Sequence, residues 1–267
     1  MAAEREAADF ERIDFSALYD GHPDYVARRA DGSLEQAQID LEVRLFKVPN
    51  LMALLRDGDR LLSAVEIGCA TGELIDALPV APGGRKLGID ISAANVAAAQ
   101  TRHPEIEFRA GDFRAMRSSI GRFDAVVLSD VLEHVGDDAG FLRDAAMLGD
   151  RVLVNLPLED NWLNRSRTYG PDDVSGHLRR YGLAEALALF DRAGLEVTAR
   201  RRVWIHETAA ERARRELRRQ RLGSAFGGSA VARFAKRVLY GFAGAVPFVG
   251  RRLFPSNLFV AARRRRP

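Results

Sequence analysis

The hydrophobic positions from residue 61 onward form short apolar runs separated by longer amphipathic stretches. The apolar runs predict seven strands, at residues 61–67, 86–91, 105–109, 123–128, 151–155, 195–199 and 257–262. Helical patterns lie between them, at residues 71–78, 92–102, 137–148 and 183–193. Strands that alternate with helices form a mostly parallel sheet with helices on both faces. The sequence therefore predicts a Rossmann-like α/β domain over residues 61–206, with its ligand at the carboxyl ends of the strands.

Residues 1–60 carry a weaker pattern, which predicts a helical cover. Residues 1–30 are polar with scattered aromatic residues and show no clear period. Ser33 predicts a helix start with Gln36 as its capping-box partner, and Pro49 predicts the end of that helix. A second short helix is predicted at residues 51–56, capped by Asn50. We expect this region, with its aromatic residues, to form part of a lid, namely Tyr19, Tyr25 and Phe46.

The C-terminal quarter of the chain is strongly basic. Residues 201–267 contain 17 Lys and Arg against 3 Asp and Glu, whereas the first 200 residues contain 23 and 34. Residues 207–255 are predicted to be a helical insertion, followed by the last strand and a basic tail at 256–267. Within the insertion, residues 231–242 form a basic amphipathic pattern, typical of helices that lie on anionic membrane surfaces. The pattern allows a cap over the site, an anionic membrane contact or a lipid-like acceptor; nucleic acid is unfavoured, because no RNA-binding motif is present.

The compartment follows from cysteine usage and the absence of targeting patterns. Cys69 is the single cysteine, so no intramolecular disulfide can form and a reducing compartment is expected. The polar N-terminal residues contain no apolar signal segment. The longest nearly uncharged apolar stretch, residues 238–250, has 13 residues, fewer than the roughly 20 that cross a bilayer. We predict a cytoplasmic protein, with peripheral membrane contact left open.

Three features at predicted strand ends point to a nucleoside ligand. The first strand ends in Glu66-Ile-Gly68-Cys69-Ala70-Thr-Gly72, where glycine lets the backbone turn and approach a ligand. Asp90 ends the second strand, 22 residues after Gly68, a spacing that suits hydrogen bonds to ribose hydroxyls. Asp112 follows the third strand after another 22 residues. Each feature alone could be a tight turn or a helix cap, but the spacing of all three favours one ligand across the sheet.

These motifs resemble those of the class I S-adenosylmethionine-dependent methyltransferases. The fourth strand and its continuation, Phe123-Asp-Ala-Val-Val-Leu-Ser129-Asp130-Val131-Leu-Glu133-His134, resemble the ubiquinone-biosynthesis group, as does Gly176-His177-Leu-Arg-Arg-Tyr181. The resemblance covers residues 61–200 and extends to 256–263. It implies S-adenosylmethionine as the cofactor.

Carried over position by position, the resemblance implies roles for individual residues. The first motif would hold the methionine part of the cofactor, through Glu66, Gly68, Cys69, Ala70 and Gly72. Asp90 would bind the ribose with Ile91 against the adenine. Asp112 would receive the adenine amino group beside the backbone amide of Phe113. The floor of the site would be Ser129, Asp130 and Val131. Cys69 has no activating neighbour in the sequence, so we interpret it as a small apolar residue.

Methyl transfer from a sulfonium is an in-line displacement that depends mainly on alignment. A base is needed only where the acceptor must lose a proton, and histidine is suited to that task. The candidates are His134 and His177. Asp130 and Asp160 lie where catechol-type enzymes carry metal ligands, but the local motifs differ and no metal is predicted. The Asn155-Leu-Pro segment also differs from the motif of enzymes that methylate base amino groups.

The sequence thus predicts methyl transfer to an oxygen or carbon of a small-molecule or lipid-like acceptor. One alternative is a nicotinamide-dependent oxidoreductase, but its Gly-x-Gly-x-x-Gly motif would need glycine where Ala70 and Glu73 stand. Another alternative is a protein that binds S-adenosylmethionine without catalysis.

Overall fold

Seven strands form a single sheet in the computed structural model, which describes residues 14–56, 58–170, 173, 176–204, 208–222, 238, 254 and 256–265. The strands are β1 (Leu61–Ile67), β2 (Val80–Asp90), β3 (Glu107–Ala110), β4 (Phe123–Ser129), β5 (Gly149–Leu158), β6 (Leu195–Trp204) and β7 (Ser256–Arg264). Their order across the sheet is β3-β2-β1-β4-β5-β7-β6. Only β7 runs antiparallel to its neighbours, β5 and β6. The predicted Rossmann-like, mostly parallel sheet is confirmed.

Ten α-helices accompany the sheet within the described residues. They are α1 (Phe15–Gly21), α2 (Pro23–Arg29), α3 (Leu34–Glu42), α4 (Val48–Met52), α5 (Glu73–Ala77), α6 (Ala93–Arg102), α7 (Phe113–Ile120), α8 (Asp138–Ala145), α9 (Leu183–Arg192) and α10 (Ala209–Leu222). A π-helical turn, Val43–Lys47, joins α3 to α4. Short 3₁₀ turns follow β4, α8 and β5, at Leu132–His134, Ala146–Leu148 and Trp162–Asn164.

The sheet separates two apolar layers. Val65 and Val126 point into the layer formed with α7, α8 and α9, where Phe190 is fully buried. Ala64 and Val127 point into the opposite layer, where Phe259 packs against Phe46 with ring centroids 5.3 Å apart. Because the central strands are buried on both faces, they appear in the sequence as continuous apolar runs.

The strand register brings the predicted motifs to one edge of the sheet. Ile67 at the end of β1 pairs with Ile89 of β2 and with Leu128 of β4. Ser129 at the end of β4 pairs with Asn155 of β5. Since these strands are parallel and end level with one another, the loops that follow them face the same space.

Three local predictions are wrong. The first helix does not end at Pro49, because the chain continues through the π-helical turn into α4, where Pro49 occupies the first turn and needs no N–H donor. Asn50 is not the N-cap of a helix, because it lies within α4, and its side-chain Nδ2 donates to the carbonyl oxygen of Phe46 at 2.7 Å. The helix predicted at 51–56 is replaced by α4, which ends at Met52. Residues 15–29, which showed no period, form α1 and α2.

The described part of the basic insertion packs on the N-terminal cover. Arg214 of α10 forms an ion pair with Glu42 of α3 at 2.8 Å, and Arg218 donates to the side-chain oxygen of Gln38 at 2.5 Å. The predicted amphipathic helix at 231–242 lies outside the described residues apart from Val238. Across the described ranges, no helix combines the length and the apolar composition that crossing a membrane requires.

Candidate active site

A cavity of about 760 Å³ opens at the carboxyl ends of β1, β2 and β4. Its size is within the range of small-molecule sites. Thirteen of the fourteen side chains or loop positions proposed from the sequence line it, including Glu66, Asp90 and both histidines. Gly72 does not line the cavity. It adopts φ +89°, and a Cβ there would lie 2.8 Å from Cζ of Phe108, so this glycine serves the turn and its packing.

The loop after β1 requires unusual backbone conformations. Gly68 has φ +79°, and a Cβ built on it would lie 2.5 Å from Cγ2 of Val131. Ala70 has φ +45°, a left-handed conformation that costs an L-residue about 1–2 kcal/mol. The amide of Ala70 donates to Oδ2 of Asp90 at 2.8 Å. The loop therefore presents its backbone to the cavity at close range and is tied to the end of β2.

Asp90 organises the junction of the first two motifs. Its Oδ1 accepts hydrogen bonds from the amide of Ser92 at 2.9 Å and from Nδ2 of Asn95 at 3.4 Å. Burial raises the pKa of Asp90, while these bonds and that from Ala70 act in the opposite direction. The carboxylate lines the cavity, so its predicted contact with a ribose stays a prediction that the geometry allows.

The third motif forms another wall of the cavity. Asp112 caps α7, because its Oδ1 accepts from the amide of Arg114 at 2.9 Å. The ring of Phe113 is buried and packs edge-on against Phe141, with centroids 4.7 Å apart. Ile91 lines the cavity with 41% of its surface exposed. This wall offers an apolar surface beside a carboxylate, which suits a flat heterocycle with an exocyclic amino group.

Glu66 is a buried acid in the wall with an unsatisfied oxygen. The residue is only 3% exposed, and Oε2 has no hydrogen-bond partner among the described residues. Burial raises its pKa to about 8, against the opposing attraction of Lys47. Cys69 is also buried, and burial raises the pKa of its thiol well above the usual value. This agrees with its interpretation as a small apolar residue.

Lys47 is a cavity residue that the sequence analysis missed. It belongs to the π-helical turn, a distortion frequently found at functional sites. Its Nζ lies 2.7 Å from Oδ2 of Asp130 and 3.7 Å from Oε1 of Glu42. Burial acts to lower the pKa of Lys47, but these two carboxylates outweigh it and the pKa is raised. One signal was available, since lysine occurs only three times in a chain rich in arginine.

Asp130 and Ser129 form a polar floor with Asn155. Asp130 adopts φ +55°, and both its carboxylate oxygens accept from Nδ2 of Asn155 at 3.1 Å. Nδ2 of Asn155 also lies 3.0 Å from Oγ of Ser129. Asn155 lies on β5, and it reaches the site because it is paired with Ser129 of β4 in the sheet.

The two predicted histidines meet at the wall of the cavity. Their rings are perpendicular, with centroids 4.7 Å apart. Nδ1 of His134 lies 3.0 Å from the carbonyl oxygen of Gly176, and Nδ1 of His177 lies 2.7 Å from Oε2 of Glu159. Burial, together with His177, lowers the pKa of His134 to about 4. Glu159 was not identified from the sequence, because it lies 18 residues from its partner.

Helices α1 and α2, assigned to a lid by the sequence, contribute side chains to the cavity wall. The ring of Tyr19 packs edge-on against His134 and Tyr25, with centroid distances of 5.9 and 4.9 Å. Arg29 of the lid donates to Oδ1 of Asn95 on α6 at 2.9 Å. Tyr19 and Tyr25 line the cavity, whereas Phe46, the third aromatic residue assigned to the lid, is buried against Phe259 instead. Among the described residues that line the cavity, seven have a carboxylate side chain and four are arginine or lysine.

Comparison with known proteins defines the family. The methyltransferase domain family matches residues 64–148, which include all three motifs predicted to bind a nucleoside. The ubiquinone biosynthesis O-methyltransferase of Rhodopseudomonas palustris strain BisA53 is 38% identical over 108 residues, 38% of this chain and 42% of that protein. The chain carries a class I S-adenosylmethionine-dependent methyltransferase domain. The predicted fold, enzyme class and cofactor type are thereby confirmed.

One further relative and one solved structure are similar to a larger share of this chain. An uncharacterised 37.1 kDa protein of a Streptomyces fradiae transposon is 30% identical over 187 residues, 67% of this chain and 51% of that protein. The structure of magnesium protoporphyrin IX methyltransferase from Synechocystis with bound S-adenosylhomocysteine has a TM-score of 0.54 and 17% identity, covering 93% of this chain and 98% of that one. This structural likeness shows the fold. The chain spans about half the length of the curated relatives it matches.

Proposed function

We propose that the methyltransferase domain transfers the methyl group of S-adenosylmethionine to an oxygen or carbon of a small-molecule or lipid-like acceptor. The observation that carries this proposal is the convergence of all three strand-end motifs on one cavity, which also holds the unsatisfied carboxylate of Glu66. Because the motifs are far apart in sequence, a shared ligand explains their convergence better than independent turns do.

The charge of the cavity supports a cationic cofactor. S-adenosylmethionine carries a sulfonium and an ammonium group, and carboxylates outnumber basic side chains in the described lining. An ammonium beside Oε2 of Glu66 would satisfy a buried polar atom that otherwise costs about 1–3 kcal/mol. Gly68, which cannot carry a Cβ here, keeps the loop surface low enough for the methionine part to approach.

The opposite wall supports the acceptor assignment. Tyr19, His134 and His177 line this part of the cavity, so the acceptor would meet aromatic rings and imidazoles. The similarity to an O-methyltransferase of ubiquinone biosynthesis favours transfer to oxygen. A lipid-like acceptor and contact with an anionic membrane through residues 231–254 are supported by the basic, amphipathic sequence there.

The proposal rests on the site, because the fold also serves other chemistry. The protein named [4+2]-cyclase SpnF has a TM-score of 0.54 with this chain at 16% identity, covering 94% of this chain and 95% of that one. The nicotinamide alternative is disfavoured by Glu73, which stands at the third glycine position of that motif. Its carboxylate accepts from Thr71 at 2.7 Å and pairs with Arg102 at 2.9 Å, so a charged network occupies the place of a close helix contact.

Calorimetric titration with S-adenosylmethionine, S-adenosylhomocysteine and NADH tests the proposal. We expect micromolar binding of both adenosyl ligands and none of NADH. Asp90→Ala should weaken adenosyl binding at least about 10-fold, or about 1.4 kcal/mol. The matched control is Asp124→Ala, because Asp124 also accepts from two backbone amides, those of Leu62 and Ser63, at the opposite end of the sheet.

Three outcomes would contradict the proposal. Absence of adenosyl binding by the unaltered protein removes the cofactor. An equal loss in Asp90→Ala and Asp124→Ala would show a general effect on folding. Tight binding without methyl transfer from labelled S-adenosylmethionine to any of a panel of phenolic and lipid-linked acceptors, tested with and without anionic liposomes, would favour the non-catalytic alternative.

A further inference from the structure

We propose that Ser92 and Asn95 are positioning residues that link helices α1 and α2 to Asp90, so that these two helices raise the affinity of the site for the cofactor. The inference rests on the proposed contact of Asp90 with the cofactor ribose. Ser92 is the N-cap of α6 and Asn95 lies in the first turn of that helix, and both side chains are buried. Each residue is bonded to Asp90 on one side and to α1 or α2 on the other.

Asn95 forms a bridge between Asp90 and Arg29 of α2. Its Nδ2 donates to Oδ1 of Asp90 at 3.4 Å, and its Oδ1 accepts from Nη1 of Arg29 at 2.9 Å. A guanidinium can only donate and an ionised carboxylate can only accept, so these two partners fix which end of the amide faces each of them. Loss of Arg29 would free the amide to rotate and would weaken its bond to Asp90.

Ser92 makes the second link. Its amide donates to Oδ1 of Asp90 at 2.9 Å, and its hydroxyl donates to Oδ1 of Asp20 in the last turn of α1. The same hydroxyl oxygen accepts from the amide of Asn95 at 3.0 Å, which is the N-cap bond of α6. Both donors to Oδ1 of Asp90 are therefore held by residues of α1 and α2.

Two arginines fasten α1 and α2 to each other and to α6. Arg29 donates to two carbonyl oxygens in the last turn of α1, at 3.1 and 2.6 Å, and so joins the two helices. Arg102, at the end of α6, donates to the carbonyl oxygens of the last two residues of α2, at 2.8 Å each. Among the described residues, every side-chain hydrogen bond from residues 14–31 to the rest of the chain ends on residues 91–102. The two helices are thus bonded to the segment that follows the predicted ribose-binding strand end.

These links determine which acceptor positions of Asp90 remain for a ribose hydroxyl. An ionised carboxylate offers about four lone-pair positions. The amides of Ala70 and Ser92 and the side chain of Asn95 occupy three of them. About one position is left, and its direction depends on the other three bonds. Because Asp90 lines the cavity, weaker bonds on Oδ1 would let the carboxylate turn away from the hydroxyl that it is proposed to bind.

Coupling between two parts of a protein is reciprocal. If α1 and α2 favour the orientation of Asp90 that binds the cofactor, bound cofactor must favour the attached state of α1 and α2 by the same factor. The side chains of Tyr19 and Tyr25 also line the cavity, so these helices are placed to contact a bound ligand directly. Backbone amides of residues 15–30 should therefore exchange more slowly in the complex than in the cofactor-free protein.

Hydrogen–deuterium exchange and calorimetry with S-adenosylhomocysteine test the coupling. Arg29→Met breaks the link at a residue that is not among the described cavity-lining residues, so a direct contact with the ligand is not removed. It should weaken S-adenosylhomocysteine binding by about 5–20-fold and reduce the protection of residues 15–30. Arg29→Lys keeps a charged donor and should recover part of that loss. Asp20→Ala, which removes the partner of Ser92, should act in the same direction as Arg29→Met.

A double variant shows whether Arg29 acts through Asn95. Asn95→Ala alone should weaken binding by a factor similar to that of Arg29→Met. The two changes together should weaken it by clearly less than the product of their separate factors, because both interrupt one chain of contacts. Independent effects on folding would multiply instead.

Arg85→Met is the matched control. Arg85 is also half-buried and donates to a backbone carbonyl, that of Ile120 at 3.0 Å, but it is not among the described cavity-lining residues. Its affinity for S-adenosylhomocysteine should equal that of the unaltered protein, and circular dichroism checks the folding of every variant. Unchanged exchange of residues 15–30 on binding, unchanged affinity in Arg29→Met, multiplying effects in the double variant, or an equal loss in Arg85→Met would each overturn the inference. Absence of binding by the unaltered protein would overturn the proposed function together with it, whereas binding without these effects would overturn the inference alone.

Discussion

Replacing Gly68 by alanine should destabilise the protein for two separate reasons. The first is the left-handed backbone at φ +79°, which is unfavourable for any residue with a Cβ. The second is the contact of the new Cβ with Cγ2 of Val131 at 2.5 Å. Gly83→Ala is a matched control for the first cost alone, because Gly83 has φ +76° and no heavy atom within 4 Å of an added Cβ.

The expected magnitudes differ accordingly. Gly83→Ala should lower the free energy of unfolding by about 1 kcal/mol, the left-handed penalty partly offset by reduced freedom of the unfolded chain. Gly68→Ala should lower the free energy of unfolding by about 1–3 kcal/mol more than Gly83→Ala does, because overpacking a well-packed region typically destabilises by that amount. Urea unfolding followed by circular dichroism measures both values. Adenosyl-ligand affinity should fall in Gly68→Ala only, because Gly68 lines the cavity and Gly83 does not.

A double mutant isolates the contact. Val131→Ala removes the methyl groups that the new Cβ would meet, so it should cost less in the Gly68→Ala background than in the unaltered protein. The coupling energy should be at least about 1 kcal/mol. Equal destabilisation by Gly68→Ala and Gly83→Ala, together with a coupling energy near zero, would refute the proposed close approach of Gly68 to Val131.

Three further predictions concern ionisable groups at the cavity wall. Lys47→Met leaves Asp130 without its ion-pair partner. Because the side chains of Lys47 and Asp130 are 13% and 32% exposed, the free energy of unfolding should fall by about 1–3 kcal/mol in urea titrations, less than for a fully buried pair; an unchanged free energy of unfolding would contradict a stabilising role of this pair. The pKa of Glu66 is raised from 4.5 to about 8 in the folded protein. Between these pH values the Glu66 carboxyl binds its proton more tightly in the folded than in the unfolded state, so the stability of the cofactor-free protein should fall as pH rises from 4.5 to about 8. Glu66→Gln should flatten that fall in unfolding curves across the same pH range, and an unchanged pH profile would count against the raised pKa. Cys69, the single cysteine, should resist thiol reagents until denaturant is added, whereas rapid labelling of the folded protein would show that the thiol is accessible.

Much of the proposed cofactor site was predictable because its parts are local. A strand-to-helix turn needs glycine at particular backbone angles, and the end of a buried strand is marked where the apolar run stops. Gly68, Asp90 and Asp112 could therefore be placed at strand ends from sequence, and parallel pairing then implied that they share one edge. The lid was predicted only in outline, because α1 and α2 are short and contain no fully buried residue that would reveal a period.

The sequence by itself determined the alternation of strands and helices, the family and the cofactor motifs, since each depends on residues near one another in the chain. Only the tertiary structure decided which distant side chains meet. Lys47 reaches Asp130 because it lies in the π-helical turn that joins α3 to α4. Glu159 reaches His177 because β5 ends beside the segment before α9. Glu133 is in a recognisable motif, but its unpartnered burial beside two oriented imidazoles depends on packing from three separate segments. Periodicity reports which face a residue takes, whereas contact geometry depends on how those faces are packed together.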